Sequence, residues 1–133
     1  MLTGTRSRIA VAAFALLVAI AASALRASAH DAEAGPHGGQ MIEVKGHHLE
    51  MTAKGNELIF YLFDAAHAAI ASRGASGRVV ILDGSRQSSA PLAALDPDRL
   101  VARLEAPLAP GARVVVTAKL AGGHDIVARF VVR

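Results

Sequence analysis

Cysteine is absent from the chain, and so is tryptophan. Without thiols there are no disulfides, no thiolate metal sites, no iron–sulfur clusters and no cysteine nucleophile. Tyrosine occurs once, at Tyr61, and aromatics make up only 4% of the residues. That is too few for carbohydrate stacking or an aromatic cage around a cation. The excess of basic charge is also largely a property of one end. Fourteen Lys and Arg oppose eleven Asp and Glu, but Arg6, Arg8 and Arg26 all lie in the first 29 residues. Beyond them eleven basic residues face eleven acidic ones, so no basic patch argues for nucleic acid. Catalytic signatures are lacking too. There is no Gly-x-Ser-x-Gly elbow, no His-Glu-x-x-His and no phosphate-cradling glycine loop. The chain reads as a non-enzyme.

What is present begins with an export signal over residues 1–29. Arg6 and Arg8 supply the positive start, Ile9 to Leu25 the apolar core, and Ala27-Ser28-Ala29 a small-residue cleavage site before His30. Ala22-Ser23-Ala24 offers a second cut, after Ala24. The apolar run is mostly alanine and falls short of the roughly 20 residues that a membrane span requires. A cleaved signal peptide is therefore expected rather than an anchor, with no membrane attachment afterwards. An exported chain without disulfides must rest on its hydrophobic core.

Residues 30–38 read as a short polar arm, and residues 39–133 as one domain of strands and turns. Gln40 to Lys45, His47 to Ala53 and Glu57 to Phe63 come first, followed by Gly77 to Leu82 and Gln87 to Leu92. Leu100, Ala102 and Leu104 alternate with charged neighbours. Val114, Val116, Ala118 and Leu120 do the same, as do Ile126, Ala128, Phe130 and Val132. Gly/Pro turns about 8–12 residues apart predict an all-β fold, a single antiparallel Ig-like β-sandwich of seven or eight strands. Ala65 to Ser72 is the one stretch with helical leanings.

Four of the six histidines, His30, His37, His47 and His48, crowd into the first stretch after the leader. Neutral imidazole is the commonest protein ligand for zinc and copper. His37 sits in Gly35-Pro36-His37-Gly38-Gly39, where proline fixes one backbone angle and glycine permits angles that other residues avoid. A hairpin around Lys45-Gly46 would set Val44 opposite His47, Glu43 opposite His48, Ile42 opposite Leu49 and Met41 opposite Glu50. Met41, Glu43, His48 and Glu50 would then share the outward face. His37 could fold over this end, so His37, His48, Glu43 and Glu50 are the candidate ligands for Zn(II) or Cu(II). The alternative is a cross-strand polar pair of Glu43 and His48 on a solvated face. Met51 reads as core. A free amino group on His30 would add a terminal chelate for copper.

These residues resemble a known domain. Gly35-Pro36-His37-Gly38-Gly39-Gln40, Ile42-Glu43-Val44, His47-His48-Leu49-Glu50 and Glu57-Leu58-Ile59-Phe60-Tyr61-Leu62-Phe63-Asp64 look like a small periplasmic domain of proteobacteria. It occurs in small exported proteins and in the leading region of periplasmic adaptor subunits of heavy-metal efflux pumps. After Asp64 that pattern has a Gly-Lys-Pro-Val-like turn, replaced here by Ala65-Ala66-His67-Ala68-Ala69-Ile70. The hairpin and lipoyl-like regions of a full adaptor are missing. The resemblance implies a β-sandwich and a periplasmic accessory protein of copper or zinc homeostasis or efflux. Its partners would be a transition-metal ion and an efflux adaptor or other envelope protein. The competing expectation is a metal-independent β-sandwich interaction module. N-terminal sequencing of the exported form is expected to begin at His30; an intact leader recovered from membranes would show an anchor instead.

Overall fold

A computed structural model describes residues 32–133. The expected leader, both cleavage sites and His30 lie outside the described residues. Among the described residues there are nine strands: β1 (Glu33–Ala34), β2 (Gln40–Val44), β3 (His47–Lys54), β4 (Glu57–Phe63), β5 (Ser76–Asp83), β6 (Arg86–Leu95), β7 (Arg99–Arg103), β8 (Arg113–Lys119) and β9 (Asp125–Val131). All pairings are antiparallel, in the order β1-β2-β3-β4-β7-β6-β5-β8-β9. The fold is all-β, and no helix occurs among the described residues.

Two expectations change. The strand count is nine rather than seven or eight, because the polar arm contributes β1. Two exposed residues carry no apolar alternation that could announce a strand. The strands also form one continuous curled sheet rather than two separate ones. Its ten residues let β6 serve both halves. Gly77 to Asp83 of β5 pair with Arg86 to Leu92, and Ala93 to Leu95 continue into pairing with β7.

The curl brings the apolar faces of the two halves together. Leu49, Met51, Leu58, Phe60, Leu62, Leu100 and Ala102 pack from one half. Val79, Ile81, Leu92, Val114, Val116, Ile126, Ala128 and Phe130 meet them from the other. Phe60 and Phe130 touch across the middle, ring centroids 5.9 Å apart and tilted by 51°, a favoured aromatic geometry. The two edges of the sheet also approach each other. Gln40 Nε2 on β2 donates to the Val131 carbonyl on β9 at 2.7 Å.

Ala65 to Ser72 is not helical. Asp64 Oδ1 accepts from the backbone N–H groups of Ala66 and Ala68, both at 2.9 Å. That local capture closes a turn in place of the first helical turn. Phe63 then bridges to Ala69, and buried Ser72 ties the loop to the β6–β7 turn through Leu95 and Pro97.

Because Phe60 is fully buried at the junction of both halves, Phe60→Ala is expected to cost about 3–5 kcal/mol. Urea unfolding followed by circular dichroism measures it; a loss well below this would mean that the halves do not share one core.

Candidate functional site

The hairpin register is the one derived from the sequence: Val44 faces His47, Glu43 faces His48, Ile42 faces Leu49 and Met41 faces Glu50. Ile42 and Leu49 pack with the core. Strand alternation puts Met41, Glu43, His48 and Glu50 on the opposite face. On that face the environment of Glu50 is unexpected. Its side chain has no exposure at all, because the Gly35–Gly39 loop lies directly on top of it.

The loop is built for that contact. Gly35 and Gly39 close the β1–β2 hairpin through Gly35 N to Gly39 O at 2.9 Å, and Gly38 N donates to Gly35 O at 3.0 Å. Pro36 and His37 are the inner residues of this turn. Gly38 follows at φ +78°, a left-handed angle that glycine adopts without steric penalty. A Cβ at Gly35 would collide with the Glu50 carboxyl, and one at Gly39 with the Met51 carbonyl. The motif therefore lets the loop press onto β3.

Three hydrogen bonds converge on the buried carboxylate. Oε1 accepts from the backbone N–H groups of His37 at 2.8 Å and Gly39 at 2.9 Å. Oε2 bonds to His37 Nδ1 at 2.7 Å. A buried carboxyl group needs such partners to offset its desolvation. The imidazole also lies flat on Tyr61, ring centroids 3.5 Å apart and 4° from parallel. Tyr61 is the cross-strand partner of both Glu50 and Arg99, whose guanidinium carbon stands 6.0 Å from its ring. His37 thus bonds to one residue of a rung and stacks on the next. Its side chain still keeps 38% of its exposure, so its far edge meets solvent.

His48, two residues before Glu50 on the same face, is held separately. Its Nδ1 lies 3.0 Å from the Asp64 carbonyl oxygen. A carbonyl only accepts, so Nδ1 carries the proton and a neutral ring keeps its lone pair on Nε2. Its ring packs on that of His67. His47 points the other way, toward His124, with ring centroids 5.5 Å apart. Glu43 is exposed at its register position beside His48.

The four expected ligands therefore divide. His37 and Glu50 form one bonded pair, His48 joins Asp64 and His67, and Glu43 stands free of both in its hydrogen bonding. Among the described residues no three His, Asp or Glu side chains converge on a common point. Glu50 has no oxygen facing solvent, so its part is to orient His37 rather than to receive an ion. Tyr61, Asp64 and His67 were not among the four ligands expected from the sequence. The tight turn at Gly55-Asn56 fixes Lys54 opposite Glu57 and hence Glu50 opposite Tyr61, so Tyr61 could have been found by counting. The positions of Asp64 and His67 depend on a loop with no such count. Comparison with protein-family models, curated proteins and solved structures finds no match.

Two substitutions at Glu50 separate its roles. Glu50→Ala leaves two backbone donors without their acceptor and is expected to cost about 2–4 kcal/mol. Glu50→Gln keeps an acceptor for those donors but turns an amide N–H toward Nδ1. The His37 proton should then move to Nε2. Nitrogen NMR of the imidazoles reads that tautomer change; an unaltered His37 spectrum would show that Glu50 does not set it.

Proposed function

We propose that the protein is an exported, periplasmic accessory protein that binds a transition-metal ion, copper or zinc, on the outer face of β3 and β4. The observation supporting this reading is a constraint shared by two imidazoles. His37 and His48 both have Nδ1 engaged by an oxygen, one from a buried carboxylate and one from a peptide carbonyl. Each neutral ring therefore presents Nε2 as the donor atom. Histidines that ligate metals are held in this way, with the second nitrogen bonded to a carboxylate or carbonyl that fixes the tautomer and raises ligand basicity.

The two rings stand over neighbouring rungs. Tyr61, under His37, pairs with Glu50, and Phe63 pairs with His48. With no closed ligand cage, water or the ligands of another protein would complete the coordination. Transfer of an ion calls for such an open site. Exposed Glu43 is the carboxylate of this face left to assist, and the receiving partner in this reading is a heavy-metal efflux adaptor or another envelope protein. The curled sheet would serve as a sandwich-like support, one half carrying the imidazoles and the other closing the core.

A second reading is favoured by the open sheet edge. The outer edge of β9 has no strand partner among the described residues; side chains from the β2 side reach only its ends, Gln40 at the Val131 carbonyl and Lys45 at the Asp125 carbonyl, and Val127 and Val131 on this strand are exposed. Unpaired edges of this kind accept an added strand, as a metal-independent interaction module would require.

Calorimetric titration of tag-free protein with Cu(II) and Zn(II) separates the two. The His37→Ala/His48→Ala double variant is expected to lose about tenfold or more in affinity, while His124→Ala changes little. Equal affinities in wild type and double variant would remove the metal site and leave the interaction module.

A further inference from the structure

The turn after β4 supplies His48 with a neighbour of its own kind. His67 lies in the turn after β4, and its ring centroid is 4.0 Å from that of His48, the two planes tilted by 56°. We infer that His48 and His67 form a two-imidazole site for a transition-metal cation, Cu(II) ahead of Zn(II), with its other positions open to water or to ligands of a second protein. The inference rests on the reading above that this face binds a transition-metal ion, and it pairs His48 with His67 in place of His37.

One peptide oxygen organises both residues. The Asp64 carbonyl accepts from His67 N–H at 3.0 Å and stands 3.0 Å from His48 Nδ1. The Asp64 carboxylate holds the rest of the loop through Ala66 and Ala68, and Asp64 N–H donates to the Ala68 carbonyl at 2.9 Å. At its far end the loop is tied down by the Phe63–Ala69 bridge and by Ile70 N–H to the Leu62 carbonyl at 2.9 Å. His67 is thus carried on a short closed loop, anchored on both sides to the strand that pairs with His48.

The backbone at His67 adds an independent observation. Its φ is +62°, in the left-handed region that a non-glycine residue adopts at some cost. A glycine there would satisfy the turn with less strain. The chain carries an imidazole instead, and this conformation sets it against His48. No hydrogen bond engages either ring at Nε2 among the described residues. Two metal–nitrogen bonds of tetrahedral geometry need nitrogens about 3.3 Å apart. The two rings, with centroids 4.0 Å apart, already stand close to that separation. Copper(II) leads because imidazole sites follow the usual order of divalent affinities. Asp64 is a positioning residue here, since its carboxylate oxygen is engaged with backbone N–H groups.

The test is a titration of the full tag-free chain with Cu(II), followed by electron paramagnetic resonance. His30→Ala is present in every protein, so that its imidazole, outside the described residues, does not obscure the result. His67→Asn and His67→Gly both tolerate the left-handed backbone, so their melting temperatures should match or exceed that of the parent. Each is expected to weaken Cu(II) by about tenfold or more, and His48→Ala likewise. The nitrogen coupling should fall from two imidazoles to one in His67→Asn. Parent-like affinity and coupling in both His67 variants would overturn the inference while leaving metal binding intact. A parent that binds neither Cu(II) nor Zn(II) would overturn the inference together with the reading beneath it.

Discussion

Glu50 faces away from the hydrophobic core and yet has no contact with water. That position is costly unless every direction in which the carboxylate could be solvated is filled by a donor. Two backbone N–H groups and one imidazole fill them. The hairpin that brings these donors must lie close enough to leave no space, which is why glycine is required where the loop touches β3. The same contact gives His37 its tautomer, its stacking partner and its place on the sheet. Removing the carboxylate would free the loop, and a free loop would have no reason to hold an imidazole in one orientation.

Much of this could be read in the chain before any coordinates. The β2–β3 register followed from the Lys45-Gly46 turn, and the buried faces of β7, β8 and β9 followed from strict alternation. Glu50 shows where the reading stopped. Period-two alternation says which side of a sheet a residue takes, and Glu50 took the expected side. It does not say what lies over that side. The cover came from a two-residue strand with no pattern of its own. Nor could alternation reveal that β6 passes between halves, since its exposed residues look alike before and after Leu92. His67 was visible as a turn residue, but its place beside His48 was not, for another reason. Alanines flank it, and its conformation is imposed by an aspartate three residues earlier.

The imidazoles differ in the kind of support they receive. His37 is held by a buried group and a flat aromatic contact, so its ring has little freedom. His48 is held by one carbonyl and by contact with the imidazole of His67. A rigid imidazole beside a less constrained pair is a different arrangement from a closed four-ligand cage, which fixes every side chain at once. The outer face of β3 and β4 combines one fixed imidazole with two less constrained ones on a single surface.

The strand order also has a consequence in time. Most neighbours in the sheet are consecutive in the chain and joined by short turns: β2 with β3, β3 with β4, β5 with β6, β6 with β7, and β8 with β9. Only β4 with β7 and β5 with β8 join distant segments. Local hairpins lose little chain entropy on closing, whereas distant pairings must bring remote segments together first. Once β5, β6 and β7 form a meander, β7 presents an edge for β4 and β5 an edge for β8. The middle of the chain can then act as a template on which the two ends are laid. By that sequence the imidazole-bearing meander of β2, β3 and β4, itself a local assembly, is docked onto the scaffold through β4 and β7.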